Sequence, residues 1–194
     1  MNDKSMNKNL THQIPAGMLI GDTRTEMFGC RDTKKVFFIS NGTTQPFEKL
    51  SNLKKSLIFE ELLNDNKSME DLKHLSQEEA IEQYAFCVYG AADHEADFNS
   101  NGELNKSDNF ICSDNCKCLK WLTKSIKIDN RSLTSRQVQI VTLLATDLCD
   151  KQIADQLSIS PSTLDSHKTK LFEIFGVHGK TGLIFKAINQ KIIQ

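Results

Sequence analysis

The chain has 194 residues, of which 39% are hydrophobic and 25% are charged. This is the composition of a globular protein of one or two domains, and it argues against a wholly disordered or fibrous chain. The 24 basic residues nearly balance the 25 acidic ones, so the chain as a whole has no electrostatic attraction for nucleic acid or anionic membranes. Any such attraction must be local.

No stretch of the sequence approaches the roughly 18 apolar residues that a membrane span needs. Residues 1–9 are polar where a signal peptide carries its apolar core. We therefore expect a cytoplasmic protein that does not associate with membranes. In that compartment the six cysteines should be reduced thiols, metal ligands or redox groups, and not structural disulfides.

The N-terminal part is predicted to contain a flexible polar tail over residues 1–12 and an α+β domain of unknown input over residues 13–125. Residues 35–40 have the β-branched and aromatic content of a buried strand, and the Asn41-Gly42 pair that follows predicts a turn. A second apolar run, residues 86–89, predicts another strand.

Helices and a long loop are predicted around these strands. Apolar residues between positions 47 and 75 recur at spacings of three and four, which predicts two helices with a break near residues 64–66. Residues 91–118 are rich in Asp, Asn, Ser, Gly and Cys and poor in apolar residues. This composition predicts a long loop, and loops of that length are usually functional or tied down by a metal.

The loop and the strand predicted before it carry four cysteines that could supply thiolates to a structural zinc: Cys87, Cys112, Cys116 and Cys118. Tetrahedral sulfur sites favour a closely spaced pair or triple with one distant partner. A zinc ion there would tie down the polar loop. Two alternatives stay open, because Cys30 or His94 could be the fourth ligand, and reduced thiols without metal would account for the same residues.

The character of the chain changes near residue 133. Eight basic and five acidic residues lie between Arg131 and the C-terminus, which gives this segment a net charge of +3 and leaves −4 for the rest. We therefore place a linker at residues 126–132 and a second, all-α domain at residues 133–194.

The second domain is predicted to form four short helices. Thr134 and Gln137 are spaced as a capping box, so the first helix should begin there. Asp150 is a suitable N-cap for the second helix. Ser160 followed by Pro161 is a strong signal for the start of the third. Two helices joined by a three-residue turn form a helix-turn-helix.

The residues of the third helix separate into faces when they are placed at intervals of about 100°. Three apolar residues share one face and should be buried: Leu164, Leu171 and Phe175. The opposite side carries Ser162, Asp165, Ser166, Thr169 and Glu173. Thr163, His167 and Lys170 lie on one flank, where phosphate contacts would be made if this helix entered a DNA major groove.

Five short motifs stand in register along this segment: Leu133-Thr134-Ser135-Arg136, Lys151-Gln152-Ile153-Ala154, Leu157-Ser158-Ile159-Ser160, Thr163-Leu164 with His167, and Phe175-Gly176-Val177. Together they closely resemble the DNA-binding domain of LuxR-type (NarL/FixJ-like) regulators. The match spans roughly residues 133–190, about a third of the chain. The resemblance implies a bacterial-type transcriptional regulator whose third helix reads the major groove and whose fourth helix makes a dimer contact.

The resemblance also implies roles for individual residues. Carried over by position, the contacts with bases come from Asp165, Ser166 and Thr169. The contacts with phosphates come from Thr163, His167, Lys170 and Lys151. An aspartate in the groove repels phosphate, but it can accept a hydrogen bond from cytosine N4. The implied partners are duplex DNA, a second copy of the chain and, as a further candidate, RNA polymerase.

Two alternative functions stay open. A module that resembles sigma-factor region four would bind RNA polymerase as well as DNA. A protein-interaction adaptor would dock on protein through the same fold, and the near-neutral charge and Asp165 favour that reading. No arrangement of nucleophile, base and acid in the sequence supports a catalytic site, so we expect that the protein is not an enzyme.

Overall fold

The computed structural model describes residues 14–108, 110–113, 116–124, 126–129, 131–190 and 192–193. The tail predicted over residues 1–12 lies outside the described residues. Within the described residues the buried apolar side chains form two cores. One core belongs to a small sheet with helices in the N-terminal part, and the other belongs to a helical C-terminal part.

The N-terminal part begins with a small antiparallel sheet. Its strands are β1 (Thr25–Gly29), β2 (Val36–Ser40) and β3 (Thr43–Pro46), which are hydrogen-bonded in that order. The strand predicted over residues 35–40 is confirmed as β2. Asn41 and Gly42 make the turn into β3 with positive φ angles of 50° and 74°, a conformation that these two residue types tolerate best.

Three helices follow the sheet: α1 (Asn52–Asn64), α2 (Asn66–Leu72) and α3 (Gln77–Val88). Helix α3 lies against β1 and β2, and α1 lies against α3. The break predicted near residues 64–66 is confirmed, because Asp65 ends α1 and caps α2. Its side chain accepts hydrogen bonds from the amides of Lys67 and Ser68.

The strand predicted at residues 86–89 is wrong. Residues 86–88 form the last turn of α3, and Tyr89 is its C-cap. Every residue from Tyr84 to Tyr89 is at most 2% exposed. A helix end that is buried on all sides has no alternation of apolar and polar residues, so periodicity cannot distinguish it from a buried strand. Cys87 therefore lies on a helix.

The polar segment predicted as a loop over residues 91–118 is confirmed as one. Its described residues form no helix or strand until a short 3-10 helix begins at Lys117, over Lys117–Lys120. An isolated backbone bridge from Phe98 to Thr25 holds the loop to the sheet, and a second bridge, from Phe98 to Leu104, lies within the loop. The loop is thus anchored in its middle as well as at its ends.

The stretch after the loop is fastened to the N-terminal helices. Trp121 stacks on Tyr84 with ring centroids 5.6 Å apart, and its Nε1 donates to Asp71 at 2.9 Å. The backbone N and the Oγ1 of Thr123 both donate to Asp65 Oδ2 at 2.9 Å. The helix cap of α2 therefore also holds the chain that leads into the C-terminal part.

The C-terminal part consists of a short hairpin and four helices. The elements are β4 (Lys127–Ile128), β5 (Arg131–Ser132), α4 (Ser135–Leu144), α5 (Asp150–Gln156), α6 (Pro161–Phe175) and α7 (Lys180–Asn189). The capping box of Thr134 with Gln137 is confirmed at α4. Asp150 is the first residue of α5 and not its N-cap, because the amide of Cys149 is satisfied by Gln152 Oε1 at 3.0 Å.

The segment predicted as a linker, residues 126–132, contains the β4–β5 hairpin. Ile126 and Ile128 are buried in the C-terminal core, and Leu133 N donates to Ile126 O at 2.8 Å. The division of the chain into domains stays a prediction. None of the described helices has the length and apolar character needed to cross a membrane.

We predict that Asp65→Ala lowers the free energy of unfolding by about 2 kcal/mol, since it removes a helix cap and leaves the two donors of half-buried Thr123 without their acceptor. Burial acts to raise the pKa of Asp65, but hydrogen bonds from Thr123, Ser68 and Lys67 outweigh it, and the pKa lies below its ordinary value. The wild-type advantage should therefore be complete at neutral pH. It should disappear as the pH falls from about 4, the pKa of an aspartate in the unfolded chain, to the lower pKa of Asp65 in the folded protein.

Urea unfolding of the two proteins at several pH values measures this difference. Glu60→Ala, which removes an exposed carboxylate from α1, is the control and should change the free energy of unfolding by less than about 0.5 kcal/mol. A difference between wild type and Asp65→Ala that stays constant down to pH 2 would contradict the assignment.

Candidate nucleic-acid interface and cysteine site

Helices α5 and α6 are joined by a tight turn over residues 157–160. Ile159 N donates to Ala154 O at 3.0 Å, and Ser158 has a positive φ of 53°. From α4, Arg136 Nη2 donates to Leu157 O at 2.5 Å. The predicted helix-turn-helix is therefore present, and a third helix holds its turn in place.

Both ends of α6 are formed as the sequence predicts. Ser160 is the N-cap and its Oγ accepts from Thr163 N at 3.1 Å, with Pro161 in the first turn. Gly176 closes the helix in the left-handed conformation with a φ of 60°. The apolar stripe is fully buried, with 0% exposure of Leu164, Leu171 and Phe175. Its burial turns the polar side of α6 outward.

The residues predicted to contact bases lie on that outward side. Asp165, Ser166 and Thr169 are all exposed. Ser166 Oγ donates to Ser162 O, and Thr169 Oγ1 donates to Asp165 O, both at 3.0 Å. Because these hydroxyl hydrogens are used inside the helix, the outward lone pairs of both oxygens are free to accept.

The residues predicted to contact phosphates divide into two places. Thr163, His167 and Lys170 lie together and line one shallow polar concavity on α6, with Ser162 and Ser166. Thr163 and Lys170 are exposed, and His167 is half-buried. Lys151 is also exposed but stands apart at the start of α5. No described residue of the N-terminal part lines the concavity.

Lys168 is a residue of this surface that sequence reasoning missed. Its Nζ lies 2.6 Å from Asp150 on α5 and 3.3 Å from Asp165 on α6. The hydrogen bond to Asp150 and then that to Asp165 raise the pKa of Lys168. The i, i+3 spacing from Asp165 could have indicated one of these pairs. The pair with Asp150 depends on how α5 packs against α6, and no sequence signal reports it.

Helix α7 presents an apolar surface to solvent. Phe185 is 64% exposed and Ile188 is 52% exposed, whereas Leu183 and Ala187 on the other face are fully buried. Phe185 and Ile188 are three residues apart and lie on the same side of the helix. Nothing in the described part of the chain covers them.

Four cysteine side chains come together at the end of α3. The sulfur atoms of Cys87, Cys112, Cys116 and Cys118 all lie within 4.8 Å of one another, and this cluster could hold a metal ion. Tetrahedral coordination with bonds of about 2.3 Å places sulfur atoms about 3.8 Å apart, so the cluster has nearly the required size. The sulfur atoms of Cys112 and Cys118 are 3.4 Å apart, which is too long for a disulfide.

The sequence left three candidates open for the fourth ligand, and the cluster contains one of them. Cys87 belongs to it, and among the described residues neither Cys30 nor His94 does. Cys87, Cys112 and Cys118 are buried, and Cys116 is half-buried. Hydrogen bonds from Cys116 and the other thiols hold the pKa of Cys112 far below its ordinary value, while the same network raises the pKa of Cys87. A thiolate, which is the form that binds metals, is thus favoured within the cluster.

A buried lysine stands beside these sulfur atoms. Lys124 is 4% exposed, and its Nζ donates to Cys118 Sγ at 3.2 Å and to the backbone oxygen of Cys87. Among the described residues no carboxylate pairs with it. Gln83 Nε2 donates to Cys87 Sγ at 3.3 Å. Lys124 and Gln83 therefore give the cluster two hydrogen-bond donors, and Lys124 adds a positive charge beside it.

Two buried carboxylates lie where the loop meets the sheet, Glu26 on β1 and Asp97 in the loop. Glu26 and Asp97 are at most 1% exposed, and each has one oxygen without a hydrogen-bond partner among the described residues. Burial raises the pKa of Glu26 to about 9 and that of Asp97 well above its usual value. No group of three carboxylate or histidine ligand atoms forms among the described residues, so these acids build no preformed cation site.

The comparisons with known proteins concern the C-terminal part. Residues 131–187 match the family described as bacterial regulatory proteins, luxR family. The oxygen regulatory proteins NreC of Staphylococcus aureus strains JH9 and USA300 are each 31% identical to this chain over 62 residues. Those residues are 32% of this chain and 29% of each relative, so the chain spans less than a third of the relatives' length. No solved structure matches the chain.

Proposed function

Because residues 131–187 form a LuxR-type helix-turn-helix domain, we propose that this protein is a transcriptional regulator that binds duplex DNA sequence-specifically through α6. One observation carries the proposal. The apolar stripe of α6 is fully buried, and its polar side bears the predicted base contacts and the phosphate contacts Thr163, His167 and Lys170, of which all but the half-buried His167 are exposed. A helix presented in this way fits the major groove.

Sequence recognition would come from three side chains. Ser166 and Thr169 can accept hydrogen bonds from base edges, and Asp165 can accept from cytosine N4. Lys168 holds the carboxylate of Asp165 at 3.3 Å and offsets part of its repulsion from phosphate. Asp165 would therefore select cytosine without weakening binding as much as an unpaired acid would.

Affinity from phosphate contacts would be modest. Lys151 and Lys170 are exposed, while Lys168 is already paired with Asp150 and Asp165. Thr163 and His167 add polar contacts beside Lys170. With Lys151 and Lys170 of each copy at the DNA, a dimer would neutralise about four phosphates, which gives a slope of log affinity against log salt of about −4.

The second copy would pack on α7. Phe185 and Ile188 expose an apolar surface on the helix that makes the dimer contact in the proteins that this domain resembles. A two-fold dimer presents the two α6 helices to successive major grooves. The expected DNA site is a pseudo-palindrome whose half-site centres are about 10 bp apart.

We predict that Lys170→Ala weakens the binding of all duplexes alike and makes the salt slope shallower by about 2, because each dimer loses two phosphate contacts. Asp165→Asn should instead change which base is preferred at one position of each half-site. Fluorescence anisotropy with a set of single-base variants of the site, repeated over a salt series, separates the two effects.

Lys67→Ala is the matched control for these variants, since it removes an exposed lysine from α2 and should leave both affinity and slope unchanged. Weak binding with no dependence on salt in the wild type would contradict the proposal and favour docking on a protein partner. The proposal also fails if Asp165→Asn and Lys170→Ala have the same effect on every duplex.

We predict that Phe185→Ser shifts the chain from dimer towards monomer, because it removes the larger of the two exposed apolar side chains from α7. Sedimentation equilibrium over a range of protein concentrations measures the change. Leu53→Ser is the control, since Leu53 is 71% exposed on α1 and lies outside the proposed interface. An unchanged dimer in Phe185→Ser would place the interface elsewhere.

We also propose that the cysteine cluster binds one zinc ion through Cys87, Cys112, Cys116 and Cys118. Four thiolates around a divalent ion carry a net charge of −2, and the ammonium of Lys124 lies within hydrogen-bond distance of this set. A buried lysine is seldom left without an anionic partner. Thiolates held by a metal would supply that partner.

We predict that the full chain retains one zinc ion per copy and that Cys112→Ser loses it. Lys124→Met should keep the ligands but lower the affinity for zinc by roughly 10-fold, as expected when a group that contacts a ligand is lost. Cys149→Ser should behave as wild type, because Cys149 is exposed on the helix-turn-helix. Competition with a chromophoric chelator measures all four affinities, and equal zinc retention by wild type and Cys112→Ser would disprove the site.

A further inference from the structure

The cysteine segment, residues 110–126, carries Cys112, Cys116 and Cys118 and is shared between the two cores. Some of its residues pack in the N-terminal core: Phe110, Cys112, Cys116, Cys118 and Trp121. Others, interleaved with them, pack in the C-terminal core: Ile111, Leu119 and Ile126. A linker that simply crosses between two domains would leave one core before it enters the other. This segment belongs to both along its described length.

Two of the cysteines are direct neighbours of residues in the opposite core. Cys112 follows Ile111, and Cys118 precedes Leu119, so in each case one peptide unit of about 3.8 Å joins a sulfur ligand to the C-terminal core. Ser135, the first residue of α4, donates from Oγ to Leu119 O at 2.8 Å. A displacement of the cysteines would therefore reach the helix that supports the helix-turn-helix.

The same arrangement keeps the DNA-facing surface open. The residues of α6 that would contact DNA are exposed except for His167, which is half-buried, although the N-terminal part has a net charge of −4 and the C-terminal segment has +3. Charges of opposite sign attract at distances shorter than about 8 Å in physiological salt. An N-terminal part that was free to move would be drawn towards Lys151 and Lys170, which the fixed arrangement leaves exposed.

We infer that a metal ion at the cysteine site is the joint that fixes the helix-turn-helix against the N-terminal part, so that metal occupancy controls affinity for DNA. This inference rests on the proposed DNA binding and deepens it. A divalent ion replaces the thiol protons, which pass to solvent, and no sulfur atom is oxidised or reduced. With metal bound, Cys112 and Cys118 hold Ile111 and Leu119 in place. Without the metal ion, the cysteines no longer hold these residues in place, and the acidic N-terminal part competes with DNA for α6.

The test compares the full chain loaded with Zn²⁺ and the same chain stripped with a chelator. Fluorescence anisotropy with one duplex at constant salt should give an affinity at least roughly 5-fold lower for the stripped protein, the lower end of ordinary coupling between sites. Cys112→Ser should bind like the stripped protein whether or not Zn²⁺ is added. Cys30→Ser, which alters a cysteine outside the cluster, should respond to Zn²⁺ as the wild type does.

Hydrogen exchange of the same samples reports on the joint without DNA. Removal of Zn²⁺ should speed exchange at Leu119 and Trp121, whose amides bond within the cysteine segment. The amides of Leu171 to Phe175 should stay protected, which shows that the helix-turn-helix remains folded. Loss of protection throughout α6 would contradict a joint and make the metal a requirement for folding of the domain.

The outcomes separate this inference from the proposed function. Equal DNA affinities for loaded and stripped protein would overturn the inference and leave DNA binding standing. No DNA binding in either state, with the expected change in exchange, would overturn the proposed function and, with it, the claim that the joint controls DNA affinity.

Discussion

The burial of a single apolar stripe on α6 determines which residues of this helix can face a ligand. Leu164, Leu171 and Phe175 are fully buried against the other helices of the C-terminal part. The helix advances about 100° per residue, so the burial of this stripe is enough to place Asp165, Ser166 and Thr169 on the exposed side. No separate contact is needed to orient them. The Ser160 cap fixes the start of the helix and the Gly176 cap fixes its end. The hydrogen bond from Arg136 to Leu157 O, in the turn before α6, helps to set the orientation of the helix.

Charge on the exposed side of α6 is close to balanced. Lys168 lies between Asp150 and Asp165 and pairs with both, so Lys151 and Lys170 are the lysines of α5 and α6 that are left for phosphates. Such a surface would gain little from the non-specific attraction that dominates many DNA-binding proteins. Its selectivity would come mainly from hydrogen bonds at base edges. The net charge of −1 for the chain, which at first argues against DNA, agrees with this way of binding.

Local signals in the sequence predicted most of the C-terminal part. The caps of α4 and α6 depend on neighbours within three residues, and the left-handed end at Gly176 depends on one residue. The faces of α6 follow from helix geometry alone. The four cysteines were also correctly grouped, because closely spaced thiols with one distant partner have few other structural uses in a chain without disulfides.

Features that depend on packing could not be predicted. The end of α3 was interpreted as a strand, because residues buried on every side lose the periodicity that distinguishes helix from strand. Lys168 joins Asp150 to Asp165 across two helices. Lys124 reaches the cysteines from a different part of the segment, and the alternation of Ile111 and Leu119 with the cysteines between two cores has no pattern of its own. The alternation of Ile111 and Leu119 with the cysteines connects the two parts of the chain, and all of these contacts exist only in the folded protein.

DNA binding through α6 can be tested by selection from a random pool of DNA duplexes with the full-length protein, with the affinity of the selected sequences followed over a salt series. We expect a two-fold-symmetric site with half-site centres about 10 bp apart. We also expect a cytosine preference that is lost in Asp165→Asn, and a moderate salt slope. Failure to enrich any sequence, in protein shown to be dimeric and loaded with zinc, would contradict DNA binding through α6.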